Sequence, residues 1–210
     1  MADQKTYLRA TLGECRASLR PEFAKSHSRT IQRRLLSTDW YRAAPAVVLY
    51  SPFHNEVATD EVAADAIASG KELFFPRLRR DRETITVARV HDLSELVAGA
   101  FGIREPASEG ATAAPHRLAA AIIVVPGLAF GPQGQRLGRG GGHYDRFLAA
   151  LPREAITVGL AYFFQLLDRI PQESFDRRLQ YIITESALIR AAEPLVRSLA
   201  AEAGRGGTPG

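Results

Sequence analysis

The stretch Ala121-Ile122-Ile123-Val124-Val125, followed by Pro126-Gly127, decides the fold because it is the strongest signal of a buried strand in the chain. A short, wholly apolar run is typical of a strand covered on both faces, and proline ends it because proline has no N–H to give to a sheet. Apolar or alternating segments predict further strands at residues 47–50, 72–76, 85–90, 156–161 and 179–184.

Helical patterns lie between these strands. Apolar residues at helical spacing predict an N-terminal helix whose core face is formed by Leu8, Leu12, Cys15 and Leu19. Pro21 opens a second helix, Thr59 is a good N-cap for a third, and further helices are predicted over residues 92–100, 142–151 and 185–201. Such alternation predicts an α/β fold: a three-layer, Rossmann-like domain over residues 1–203, with a mostly parallel central sheet and helices on both faces. The glycine-rich residues 204–210 have no apolar side chain to bury, so we expect a disordered tail.

Composition narrows the class of protein. The 210 residues are 46% hydrophobic, enough for a substantial core. No apolar run approaches the roughly 20 residues that span a bilayer, so we expect a cytoplasmic protein without a membrane partner. A single cysteine excludes an intrachain disulfide. The formal charge of +4 is modest and spread along the chain, which favours small anionic ligands over nucleic acid, and we expect a monomer.

The candidate site is a glycine-rich turn directly after the strongest strand, Arg136-Leu137-Gly138-Arg139-Gly140-Gly141-Gly142-His143-Tyr144-Asp145. Its glycines allow close backbone approach, and the helix that begins near Gly142 presents unpaired N–H groups to an anion. Arg136 and Arg139 add positive charge, so the segment predicts a phosphate site. It lacks the Gly-Lys-Ser/Thr ending of a P-loop, and His143 occupies the third glycine position of the dinucleotide fingerprint. A surface loop that needs its glycines only to turn is the alternative.

Asp145 would repel a phosphate unless a cation lay between them. Magnesium supplies that cation, because it prefers hard oxygen ligands and binds carboxylates and phosphates together. A second carboxylate is then expected, and Asp176, before the last predicted strand, is the candidate. An acid in the first turn of a helix is also favoured by the helix dipole alone.

Together these residues resemble the 5-formyltetrahydrofolate cyclo-ligase family. The resemblance rests on residues 125–130 and on the loop through Leu148, and it extends in the family's order to residues 5–9, Glu56 with Thr59, residues 75–77, 101–106 and Asp176 with 182–185. It implies ATP-dependent, Mg²⁺-dependent conversion of 5-formyltetrahydrofolate into 5,10-methenyltetrahydrofolate, ADP and phosphate, through a phosphorylated formyl (imino-phosphate) intermediate.

The resemblance also implies roles for individual residues. Lys5 and Arg9 match the basic pair that contacts ATP, and the loop residues Arg136, Leu137, Gly138, Arg139, Gly140, Gly141, Gly142, His143 and Tyr144 match the phosphate-binding loop. Arg139 is expected to stabilise charge on the transferred phosphoryl group. Asp145 and Asp176 match the magnesium-associated acids. Glu56 matches the acid that holds the pterin, against which Phe53 and Tyr144 are expected to pack.

The loop departs from the family pattern at two residues, and two alternative functions remain open. His143 stands where relatives usually carry Tyr or Phe, and Gly141 stands where some members have lysine. A paralogue with the same nucleotide loop could act on another small carboxylate or a sugar phosphate. A sequence pI near 9.5 also leaves open a non-enzymatic nucleotide- or RNA-binding module.

Overall fold

The computed structural model describes residues 2–79, 81, 84–107, 113, 115–173 and 176–191. Five α-helices and eleven strands lie in these ranges, besides four short 3₁₀ helices. In chain order they are α1 Ala2–Ala17, α2 Pro21–Leu36, α3 Asp39–Ala43, β1 Ala46–Val48, α4 Asp60–Ala68, β2 Glu72–Leu78, β3 Ile85–Arg89, β4 Leu96–Ala98, β5 Arg104–Pro106, β6 Ala121–Val125, β7 Ala129–Phe130, β8 Arg136–Leu137, α5 His143–Ala149, β9 Ile156–Leu160, β10 Tyr181–Ile183 and β11 Leu188–Arg190.

The central sheet has seven strands in the order β11-β10-β9-β6-β1-β2-β3. The five inner strands are parallel to one another, and the two edge strands, β3 and β11, run antiparallel to them. From β1 the chain continues to β2, toward one edge of the sheet, whereas from β6 it continues to β9, toward the opposite edge. The boundary between β1 and β6 is therefore the point where the strand order reverses, and open α/β sheets bind ligands beyond the carboxyl ends of their strands there.

Both faces of the sheet are covered, as the apolar strand sequences predicted. On one face, Val47 and Ile122 pack with α2, α3 and α4 through residues such as Ile31. On the other, Val48 and Ile123 pack with α5. The predicted α/β fold, a mostly parallel sheet between helices, is confirmed.

The N-terminal helix differs from its predicted orientation. Cys15 is exposed, so its predicted place in the core is wrong. The buried face of α1 carries Lys5, Leu12 and Arg16. Only Leu12 and the partly buried Leu8 join an apolar cluster with the β7 and β8 region. Two cations are thus turned inward, which an apolar stripe could not reveal.

In two other predicted helices, the residues that the structure describes form strands instead. In the predicted helix 92–100, Asp92 and Glu95 form a capping box, but the turn ends as a short 3₁₀ helix over Leu93–Glu95. The chain then enters β4, which pairs with β5 in a segment predicted to be a loop. In the predicted helix 185–201, the Thr184 hydroxyl accepts the N–H groups of residues 186 and 187 and reverses the chain into β11. Residues 192–201 and the tail 204–210 lie outside the described residues. Within the described ranges, no helix is long and apolar enough to cross a membrane.

Candidate active site

The candidate site lies at the carboxyl ends of β1 and β6. The segment after β1 contains Phe53 and Glu56, and the segment after β6 leads through Gly127 into the glycine-rich loop. Between Phe53 and Glu56, the residues His54 and Asn55 adopt left-handed backbone angles, with φ of 49° and 54°. Such angles are uncommon for residues with side chains and persist only where their surroundings hold them. Asn55 is held by α1, because its side-chain amide donates to the carbonyl oxygens of Arg16 and Ala17, at 3.1 and 3.3 Å.

The glycine loop needs its glycines for conformation and for space. Gly140 and Gly142 have φ of 104° and 66°, a region that favours glycine, and Gly142 is the N-cap of α5. A side chain at Gly141 would meet the His143 ring. The Arg9 guanidinium lies beside Gly140, and its Nε donates to the Gly138 carbonyl at 3.0 Å. The loop is therefore shaped by its own glycines and contacted by a cation from α1.

Arg136 anchors the glycine loop through buried contacts with Asp145 and with the backbone after β6. Its side chain is 3% exposed and pairs with Asp145 at 2.9 Å. A second terminal nitrogen donates to the Pro126 carbonyl at 3.2 Å, and the guanidinium lies 5.6 Å from the centre of the Tyr144 ring. Its buried Nε has no hydrogen-bond partner among the described residues. Arg136 thus ties both ends of the loop to the carboxyl end of β6.

Glu56 and Arg139 form the second half of the site. Glu56 Oε1 lies 3.1 Å from Arg139 and 3.5 Å from Arg16, while Oε2 accepts the backbone N–H of Phe53 at 3.1 Å. The Arg139 guanidinium lies 4.9 Å from the centre of the Phe53 ring, within the range of a cation–π contact. The structure therefore brings the loop arginine together with both Glu56 and Phe53.

Lys5 and Asp176 form a further ion pair. Lys5 Nζ lies 2.9 Å from Asp176 and 3.4 Å from Glu173, and Lys5 is only 6% exposed. The two predicted magnesium-associated acids thus have different cationic partners, Arg136 for Asp145 and Lys5 for Asp176. Among the described residues, no three His, Cys, Asp or Glu side chains form a group that could hold a metal ion by themselves. Mg²⁺ sites commonly combine one or two carboxylates with water and with substrate phosphate oxygens.

Arg16 lies at the candidate site although the sequence did not predict it. Its side chain is 3% exposed, and it donates to the carbonyl oxygens of His54, at 3.0 Å, and Gly127, at 3.1 Å. Burial lowers its pKa, and the neighbouring Glu56 opposes that shift. Its spacing in the sequence could have revealed it. Lys5, Arg9 and Arg16 recur every three to four residues together with Leu12, so they share one face of the helix.

Two tyrosines line the same region with altered acidity. Burial raises the pKa of the Tyr144 phenol, and the nearby Glu56 adds to the shift. Burial and Glu56 likewise raise the pKa of Tyr50, whose hydroxyl donates to the Val57 carbonyl at 2.8 Å. Both phenols therefore remain neutral, and Tyr144 can offer a ring face and a hydroxyl to a ligand.

The fold and the candidate site define the class of protein: an α/β protein with a glycine-rich, arginine-anchored loop at the point where the strand order reverses. An NMR structure of 5,10-methenyltetrahydrofolate synthetase from Aquifex aeolicus has the same fold, with a TM-score of 0.79, 32% identity, and coverage of 96% of this chain and 99% of that one. A probable 5-formyltetrahydrofolate cyclo-ligase from Caenorhabditis elegans is 26% identical, over 88% of this chain and 94% of the relative. The Escherichia coli K12 5-formyltetrahydrofolate cyclo-ligase is 29% identical, over 81% and 94%.

The model of the 5-formyltetrahydrofolate cyclo-ligase family matches residues 1–185. The chain belongs to this family, and the predicted resemblance is confirmed.

Proposed function

We propose that this chain catalyses the cyclisation of 5-formyltetrahydrofolate to 5,10-methenyltetrahydrofolate, with Mg²⁺ and with conversion of ATP to ADP and phosphate. Family membership supports the folate reaction. The observation that carries the proposal for this site is the 3.1 Å contact between Arg139 and Glu56. One residue belongs to the expected phosphate loop and the other is the expected pterin ligand, so their contact supports a site in which ATP and folate meet.

The proposed reaction requires ATP and the folate to bind side by side. The formyl oxygen is a poor leaving group until it is phosphorylated. In the proposed sequence, that oxygen forms a bond to the γ-phosphorus as the bond from phosphorus to ADP breaks. The folate nitrogen N10 then attacks the formyl carbon, the carbon–oxygen bond breaks, phosphate departs and N10 loses its proton. No side-chain nucleophile is needed, so the protein contributes positioning and charge neutralisation.

Each residue of the site has a distinct part in this proposal. Lys5, Arg9 and the loop 136–144 bind ATP, with Arg139 turning from Glu56 toward the transferred phosphoryl group. Arg136 acts mainly by holding the loop, because its side chain is buried against Asp145. Glu56 binds the polar edge of the pterin, where two adjacent donors suit a carboxylate. Phe53 and Tyr144 pack against the flat ring.

The donor set suits magnesium. Asp145 lies in the first turn of α5, directly after the loop, and its side chain is 18% exposed. The Asp176 carboxylate is 11% exposed and is held by Lys5. Both are hard oxygen donors of the kind that bind Mg²⁺ together with phosphate oxygens. When bound, the ion would neutralise charge on the phosphates of ATP.

The test is to mix the purified chain with 5-formyltetrahydrofolate and Mg·ATP, and to follow methenyltetrahydrofolate by absorbance and ADP by a coupled assay. Formation of both products in equal amounts is expected. A folded protein that forms neither product refutes the proposal. ADP formation with another small carboxylate or sugar phosphate, but not with folate, would favour the paralogue.

We propose small molecules as the only substrates, and a monomer, because one chain contributes every candidate residue. Sedimentation of the purified protein tests the monomer. RNA affinity that falls steeply with salt would instead favour a nucleic-acid-binding module.

A further inference from the structure

Arg16 is a buried cation that the proposed reaction does not use. Its three guanidinium nitrogens reach three different groups: the His54 carbonyl, the Gly127 carbonyl and the Glu56 carboxylate. Two of these groups belong to the segment after β1, and Gly127 belongs to the segment after β6. Arg16 therefore crosses the boundary at which the strand order of the sheet reverses.

Glu56 has two cationic neighbours of different character. Both contact Oε1, but the Arg139 side chain is 47% exposed, whereas that of Arg16 is 3% exposed. Arg139 can turn toward a phosphate at little cost, since its guanidinium is half-exposed and water can replace its contact with Glu56. Arg16 is buried and fixed by two carbonyl oxygens, so it stays where it is. The carboxylate thus keeps one permanent partner.

The backbone contacts around Arg16 form a reciprocal clamp. Its side chain holds the His54 carbonyl, while its own carbonyl accepts the side-chain amide of Asn55. His54 and Asn55 are the two residues with left-handed backbone angles that precede Glu56. The end of α1 therefore fixes the conformation of the segment that carries the acid.

We propose that Arg16 is a positioning residue for the folate half of the site, holding Glu56 in place when Arg139 moves to the transferred phosphoryl group. The inference rests on the proposed function, because it assigns Glu56 to the pterin and Arg139 to phosphate. Without Arg16, the carboxylate that meets the pterin would keep neither of its two arginine partners at the moment of phosphoryl transfer.

The experiment compares the folate and ATP kinetics of Arg16→Lys and Arg16→Met with those of the unaltered chain. Lysine keeps the charge but not the fork that reaches three groups at once. For Arg16→Lys we expect KM for 5-formyltetrahydrofolate to rise about 10-fold or more, because lysine cannot keep both carbonyl hydrogen bonds together with the ion pair to Glu56. KM for ATP should stay within about twofold, because Lys5, Arg9 and the loop are untouched. Arg16→Met should raise the folate KM further.

Arg29→Lys is the matched control, because Arg29 also pairs with a carboxylate, Glu61, at 2.9 Å, but is 54% exposed and lies on α2. It should leave both KM values unchanged. Thermal unfolding of each variant separates positioning from folding. If Arg16→Met does not fold, Arg16→Lys alone decides. Equal changes in both KM values, or an activity loss that only follows the folded fraction, would overturn the inference.

A double variant tests the division of labour between the two arginines. In Arg139→Ala, Glu56 depends on Arg16 alone, so Arg16→Lys should weaken folate binding more in that background than in the unaltered chain. Folate binding is measured here without ATP, by equilibrium titration. Additive effects would overturn the inference. An unaltered chain that neither binds folate nor turns it over would instead refute the proposed function, so the two failures are distinguishable.

Discussion

Replacing Arg139 with alanine should greatly reduce turnover while changing stability little. The substitution removes the 3.1 Å pair with Glu56 and the contact 4.9 Å from the centre of the Phe53 ring. Since the Arg139 side chain is 47% exposed, the ion pair contributes at most about 1 kcal/mol to the free energy of unfolding. The cation–π contact adds about 0.5–1 kcal/mol. Glu56 also keeps Arg16, so no buried carboxylate is left without a cation.

The effect on the reaction should be larger, because a group that stabilises transition-state charge in a closed site is worth about 10²–10³ in kcat. The assay follows methenyltetrahydrofolate absorbance at saturating Mg·ATP and folate, and urea denaturation gives the free energy of unfolding. Arg29→Ala, which removes a similarly exposed pair with Glu61, is the control and should retain full kcat. Full kcat in Arg139→Ala, or a stability loss well above about 2 kcal/mol, would refute this assignment of Arg139.

Three other expectations concern the buried ion pair, the tyrosines and the cysteine. Asp145→Asn should lower the free energy of unfolding by about 1.5–3 kcal/mol, because Arg136 loses a charged partner at 3% exposure, and should raise the Mg²⁺ concentration needed for turnover. If the urea midpoint of unfolding and the Mg²⁺ concentration at half-maximal turnover were both unchanged in Asp145→Asn, this prediction would be wrong. Burial raises the pKa values of Tyr50 and Tyr144, so the folded chain keeps protons that the unfolded chain releases above about pH 10. The contribution of these two tyrosines to stability should therefore be constant below about pH 9 and fall as pH rises past about 10, by up to about 1.4 kcal/mol per pH unit for each group. In this alkaline range, the urea midpoint of the Tyr50→Phe variant should fall less steeply than that of the unaltered chain. Cys15→Ser should change the free energy of unfolding by less than about 0.5 kcal/mol, and native Cys15 should react with a thiol reagent; protection until unfolding would show that it is buried.

The parts of the fold that the sequence predicted are those in which local pattern and burial agree. Residues 121–125 are apolar throughout because the strand is buried on both faces, so no other element suits them. The glycine loop was recognisable because its backbone angles at Gly140 and Gly142 require glycine. Residues 92–106 were mispredicted because the capping box at Asp92 signals a helix start, whereas pairing between β4 and β5 determines the conformation of the residues after it.

The sequence predicted candidate residues by their type but not the contacts between them. Arg139, Glu56 and Phe53 were each candidates, yet their mutual contacts join residues far apart in the chain. Arg16 was not predicted because an arginine on a helix is usually solvated. Only the packing of α1 over the ends of β1 and β6 turns its side chain inward. The ion pairs of Asp145 and Asp176 depend equally on tertiary placement, which spacing does not encode.

The placement of α1 has a consequence for how activity is lost. This helix supplies Lys5, Arg9 and Arg16, but its apolar anchorage is small, consisting of Leu12 with Leu8 beside it. Segments with few buried apolar contacts open at a lower free energy than the core of their protein. Detachment of α1 would dismantle the site while the sheet stayed folded. Catalysis should therefore fail at a lower urea concentration than the one that melts the sheet, and bound substrates should narrow that gap because they bind only the docked form.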